Sequence, residues 1–171
     1  MNEEGPRDFT NRFLCDLLAK PDHLRDLIRE AVPSLVDGFV FERMKPARQE
    51  FLVGNSRLRK PDVLVEIPYR TGDEELTALV CVLLEHQTKT DWQIPLKTFL
   101  YTALYWEWQW RMWEMAPVPK GEFALTPILP IVLYTGSRPW GSARTLRDLL
   151  GPPAAFHEFA PEWQPLFWEL A

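Results

Sequence analysis

The sequence predicts a single α/β domain, and three changes of pattern predict it. Apolar residues recur at helical spacing up to Val32, at a period of two from Asp37 to Gln87, and at helical spacing again from Asp91 to Met115. A final apolar run, Ile128 to Tyr134, adds a strand, so the order is two helices, about three strands, a long helix and a strand. With 171 residues, 46% of them hydrophobic, the chain can build one core without disulfides or metals.

Phe13, Leu14, Leu17 and Leu18 share one face of the first helix. Pro21 suits the first position of the second, over Asp22 to Val32, where Leu24, Leu27, Ile28 and Val32 align and Pro33 closes the element. Phe39-Val40-Phe41, Phe51-Leu52-Val53 and Val63 to Tyr69 are β-branched and aromatic runs that read as strands. The turn Arg70 to Glu75 then leads into the strand Leu76 to Gln87, which makes a hairpin. For the long helix Asp91 or Thr90 serves as cap, Pro95 is tolerable only in the first turn, and Pro117, Pro119 and Gly121 end it. Loops and short helices are expected beyond Gly136.

A net charge of −5 argues against a protein that coats nucleic acid by bulk electrostatics. The average hides an asymmetry: residues 41–60 carry Arg43, Lys45, Arg48, Arg57, Arg59 and Lys60 against Glu42 and Glu50, a window of +4 in a remainder of −9. It is either a polyanion-facing patch or a solvated face of mixed charge. Apolar runs such as Leu79 to Leu84 are far short of the roughly 18 residues that span a bilayer. No membrane crossing is expected. Met1 to Asp8 lack the basic start and apolar stretch of a secretory signal, so the expected location is cytoplasmic. Cys15 and Cys81 stand 66 residues apart with no neighbouring cysteine, which encodes neither a zinc knuckle nor a redox pair.

The chemistry concentrates in the hairpin. With its turn centred between Asp73 and Glu74, residues whose numbers sum to 147 oppose each other, which sets Asp62 opposite Glu85 and Lys60 opposite Gln87. Opposed carboxylates have Cβ atoms roughly 4.5–5.5 Å apart and repel unless a cation compensates. Oxygen ligands on rigid strands suit Mg²⁺ or Mn²⁺. Alternation puts Glu85 and Gln87 on one face and His86 on the other, and Glu66 shares the face of Asp62 as a second candidate carboxylate. The competing reading makes Glu85 a strand-end acid paired with Lys60 or Lys89, and Asp62 a polar cap after Pro61.

Read together, Arg59-Lys60-Pro61-Asp62-Val63-Leu64, Leu84-Glu85-His86-Gln87-Thr88, Asp91-x3-Pro95-Leu96-Lys97-x3-Tyr101 and Leu129 to Gly136 resemble the Rpn family, the recombination-promoting nucleases also catalogued as transposases. The resemblance runs from Asp8 through Trp140 to Trp163 and implies a PD-(D/E)xK restriction-endonuclease-like core, αβββαβ, with a mixed sheet flanked by helices. It implies a metal-dependent DNA endonuclease in which Asp62 and Glu85 bind Mg²⁺ or Mn²⁺. Gln87 stands where the superfamily usually has lysine, Lys60 supplies the missing cation, and Tyr101 matches a recurrent tyrosine. DNA is the implied partner, with Arg43, Lys45, Arg48, Arg57, Arg59, Lys60, Lys89 and Lys97 as contacts. One nuclease-like domain over 1–171 is expected, with N-terminal helices at 1–36, a catalytic core at 37–136 and a C-terminal extension at 137–171 that is short for this family.

Two rivals remain: a non-catalytic interaction module on the same fold, and a metal-binding α/β domain of other function. The tryptophans bear on the first. Trp106, Trp110 and Trp113 share one face of the long helix, as core, dimer surface or a stacking platform for single-strand bases, and Trp108 lies elsewhere, as the candidate contact of a homodimer.

Overall fold

The computed structural model describes residues 13–47, 61–85, 91–117 and 123–170, with 83–85 as backbone only. Residues 13–18 form helix α1. Helix α2, Pro21–Ala31, starts on its proline, carries Asp22 in its first turn and Arg29 in its last, and buries Leu24, Leu27 and Ile28. Pro33 does not simply close this region. It opens another helical turn, α3, Pro33–Val36.

The expected strand at Phe39-Val40-Phe41 is a correction. Only Phe39 bridges Tyr69, and Phe41–Arg43 turn as a 3-10 helix that buries Phe41. The backbone touches the hairpin at Val40 N–H to Pro68 O (2.9 Å) and Arg70 N–H to Gly38 O (2.8 Å). At Gly38 a Cβ would come within 2.4 Å of the Tyr69 ring, so this approach requires glycine. Aromatic content marked these residues for burial, and the core receives Phe41 from a turn. The expected strand at Phe51-Leu52-Val53 lies outside the described residues.

The sheet has five strands in the order β1 (Lys45–Pro46), β2 (Val63–Thr71), β3 (Glu74–Glu85), β4 (Ile128–Tyr134) and β5 (Leu166–Glu169). The first three are antiparallel neighbours, while β3, β4 and β5 run parallel. A parallel pair needs a crossover, and helix α4, Ile94–Glu114, supplies it between β3 and β4. Pro95 sits in the first turn of α4, as required of it. The expected mixed sheet flanked by helices is therefore observed. Strand β5 was not expected; its four half-buried residues show little alternation and are held by pairing with β4.

Alternation divides the strands between two cores. Val63, Val65, Ile67, Val80, Val82, Ile131 and Leu133 face Leu24, Leu27 and Ile28 of α2. Leu64, Leu79, Cys81, Val132 and Tyr134 belong with Ile94, Tyr101 and Tyr105 of α4 and with Trp140. Among the described residues, no helix is long and apolar enough to cross a membrane.

Candidate metal and nucleic-acid site

The hairpin register decides how the two candidate carboxylates meet. Gly72 has φ +60° and, among the described residues, no non-glycine has positive φ, so Gly72-Asp73 is a two-residue turn with glycine first. Thr71 then pairs with Glu74 and Val63 with Val82, pairs that sum to 145. The expected direct opposition of Asp62 and Glu85 is thereby corrected. Continued by one pair, the register sets Asp62 beside position 83, and Glu85 lies two positions further along the same strand. Moving the turn centre by one residue shifts the register by two, so position 85 keeps the parity of Asp62. Diagonal neighbours of this kind have Cα atoms roughly 7–8 Å apart, a looser approach than direct opposition and one a shared cation can bridge.

Asp62 is exposed, and its backbone N–H donates to Val82 O (3.1 Å), which ties it to the end of β3. Its charge reaches both cysteines. Burial, with Asp62 as the lesser cause, pushes the Cys81 thiol up to about 12. Cys15 on α1 is raised by burial, then by Asp62 and Asp16. Both thiols are free.

Glu85 pairs with Tyr134 at the end of β4, and Tyr134 with Glu169 at the end of β5, so these positions form one row across the carboxyl edge of the parallel strands. Sites on open α/β sheets form at this edge. Tyr134 is buried over Gly136, where a Cβ would lie 2.2 Å from the ring. The Glu169 carboxylate accepts from the Trp140 backbone N–H (2.9 Å) and pairs with Arg144. These bonds, the backbone one first, hold its carboxyl below the usual range. Sequence reasoning missed this anchor, because its only signal is the short run Leu166 to Glu169.

The level of α4 along the sheet is set at its other end. Trp106 Nε1 donates to Thr126 O (2.8 Å), just before the start of β4, and Gln109 exchanges bonds with Thr126 N–H (3.0 Å) and Oγ1 (2.9 Å). Leu79, which pairs with Glu66 in the hairpin, donates its N–H to Pro127 O (2.9 Å), so Glu66 stands level with the start of β4 and with Tyr105-Trp106 of α4. From Tyr105 back to Ile94 the helix covers roughly 16 Å at about 1.5 Å per residue. From Glu66 to Asp62 the strand covers roughly 13 Å at about 3.3 Å per residue. The N-terminal end of α4 and Asp62 therefore share one end of the sheet. The expected cap at Asp91 or Thr90 is corrected: the N-cap position is Gln93, and Asp91 makes the turn before it, its Oδ1 accepting from Gln93 N–H (2.9 Å) and its other oxygen pairing with Lys97.

Of the other candidates, Tyr101 is buried on the sheet-facing side of α4. Glu66 is engaged away from Asp62, by Lys45 at 3.1 Å. Arg43 pairs with Glu75 (2.7 Å), so two cations of the basic window are held by acids of the hairpin. Lys60, His86, Gln87, Arg48, Arg57, Arg59 and Lys89 lie outside the described residues. Trp108 packs on Tyr105 with ring centroids 5.6 Å apart, and the exposed apolar side chains of this region are Trp110, Met112 and Met115. Among the described residues no three His, Cys, Asp or Glu gather as a metal cluster. Among the described residues the edge offers the Asp62 carboxylate and, on the same face, position 85, donors of the kind that Mg²⁺ takes beside its retained waters.

A family model described as Putative transposase, YhgA-like matches residues 10–167. No curated protein and no solved structure matches the chain.

Proposed function

We propose, from the premise that the chain belongs to the family of YhgA-like putative transposases, that it is a Mg²⁺- or Mn²⁺-dependent DNA endonuclease that hydrolyses phosphodiester bonds in recombination or mobile-element DNA. The observation that carries this reading is the hairpin register, which sets Asp62 and position 85 on one face as diagonal neighbours at the carboxyl edge. The order of helices, antiparallel hairpin, α4 crossover and parallel strands supports a PD-(D/E)xK-type core.

Asp62 and Glu85 would hold the cation. When bound, it supplies positive charge to the scissile phosphate and lowers the pKa of water. Gln87 cannot take up a proton; its amide donates to a phosphate oxygen or orients water. Lys60 contributes the fixed cation, and Tyr101 packs the helix that flanks the site. Arg43, Lys45, Arg48, Arg57, Arg59, Lys89 and Lys97 would neutralise flanking phosphates, each contact steepening the salt dependence of binding.

The test is nicking of supercoiled DNA in Mg²⁺ or Mn²⁺ by the wild type, Asp62→Ala and Glu85→Ala. Cleavage by the wild type and its loss in both folded variants is expected. Cleavage that survives both substitutions sinks the assignment. A second reading, an interaction module acting as a homodimer, draws on the exposure of Trp110 (46%), Met112 (45%) and Met115 (73%) at the end of α4. A wild type that cuts nothing in either metal, with a concentration-dependent mass that Trp110→Glu abolishes, would select it.

A further inference from the structure

We propose that Trp92 is a base-stacking residue, and that the strand cut at the Asp62–Glu85 edge is therefore unpaired DNA; this rests on the nuclease reading above. Trp92, in the turn before α4, is 57% exposed, and Leu96, in the first turn of the helix, is 39% exposed. Both stand at the N-terminal end of α4, which shares its end of the sheet with Asp62.

The backbone around Trp92 is already ordered. Asp91 accepts from Gln93 N–H (2.9 Å) through its side chain and from Ile94 N–H (3.2 Å) through its carbonyl, and Ile94 is buried in the α4-facing core. An aromatic ring on such a support meets a ligand with little ordering entropy to lose.

At this end of the sheet Lys97 is engaged by Asp91, and the whole chain carries −5. A contact that does not depend on net charge therefore has more to supply. Stacking is such a contact. In a duplex each base already has neighbours above and below it, so only an unpaired or extruded base offers its face to Trp92. Leu96 extends the same apolar surface and would cover the edge of the stacked base.

The experiment is binding of a fluorescein-labelled oligo(dT) strand and of a duplex of equal length, read by anisotropy in EDTA, where nothing is cut. Wild type, Trp92→Ala, Trp92→Phe and, as a control, Phe159→Ala, whose ring is 78% exposed on a 3-10 turn, are compared. Trp92→Ala is expected to weaken single-strand binding by about 5- to 150-fold, the worth of one stacked base. Trp92→Phe should retain most of the affinity, and Phe159→Ala all of it. Unchanged affinity in Trp92→Ala, or an equal loss on duplex, overturns the stacking proposal while wild-type cleavage leaves the nuclease reading standing. Absence of any DNA binding by the wild type overturns both.

Discussion

The two faces of the sheet come from alternate residues of the same strands, yet they are filled differently. Among the described residues, every fully buried side chain of the core under α2 is apolar, with Leu24, Leu27 and Ile28 set on Val63, Val65, Val80 and Ile131. The α4 side includes Tyr101, Tyr105, Tyr134 and Trp140, and α4 buries Thr98 and Thr102. Thr98 is tied on both sides: its Oγ1 donates to Pro95 O (2.9 Å) and accepts from Trp163 Nε1 (3.0 Å). Apolar burial decides which face a residue presents, whereas directed bonds fix how far one element has slid along another. The α2 face holds the sheet; the α4 face sets what stands beside its carboxyl edge.

That division can be broken by experiment. Ile28→Ala, at a fully buried position, should cost about 2–5 kcal/mol in denaturant unfolding, through lost transfer energy and a cavity. Any fraction that remains folded should cut DNA at the wild-type rate. Slow cleavage by folded Ile28→Ala would show that the α2 face also positions the site. Gln109→Ala should cost less, about 1–2 kcal/mol, because its amide satisfies Thr126 on two sides and Ala124 O at 3.2 Å. Here the sharper readout is hydrogen exchange at residues 124–126, which should speed up more than exchange in α2. Equal acceleration in both would deny α4 its distinct role.

The smallest expected effect is on pH dependence. Glu169 is lowered chiefly by the Trp140 N–H, and Asp148 by the Thr145 and Arg144 N–H groups. Folded carboxyl values below the unfolded ones mean stability that is present above the ordinary range near about 4 and lost as pH falls through the lowered values. Glu169 ties β5 to Trp140 and Arg144, and Asp148 closes the turn at 144–148, so a melting series taken into acid should weaken these two places. Glu169→Gln should flatten the acid limb of that series. An unchanged limb would remove Glu169 as the anchor.

Much of the architecture was legible from residues. Leu24, Leu27 and Ile28 at helical spacing after Pro21 required α2, and Pro95 could stand only in a first turn. Val63 to Tyr69, the turn and the following strand required a hairpin. The register was harder, since Thr71-Gly72-Asp73-Glu74 and the next four-residue window are both plausible turns. Only the backbone at Gly72, φ +60°, selects between them. The membership of Asp62 and position 85 on one face survived because that slip is even. Strand β5 was illegible for a different reason: four residues carry too little pattern, and their pairing partner β4 lies more than thirty positions earlier in the chain.

The charged window 41–60 shows the same limit. Counting charges located an excess of cations, but Arg43 and Lys45 are engaged by Glu75 and Glu66, which approach them only when β1 and the hairpin assemble.

By itself the sequence determined the kinds and order of the elements, the family, and which residue types carry the chemistry, because helix and strand periods, prolines and motif spacings are local properties. The tertiary structure decided the diagonal offset of Asp62 and Glu85, the alignment of Glu85, Tyr134 and Glu169 in one row, and the placing of Trp92 at the same end as Asp62. Those depend on register and on the sliding of α4 over the sheet, and both are set by contacts between residues distant in the chain.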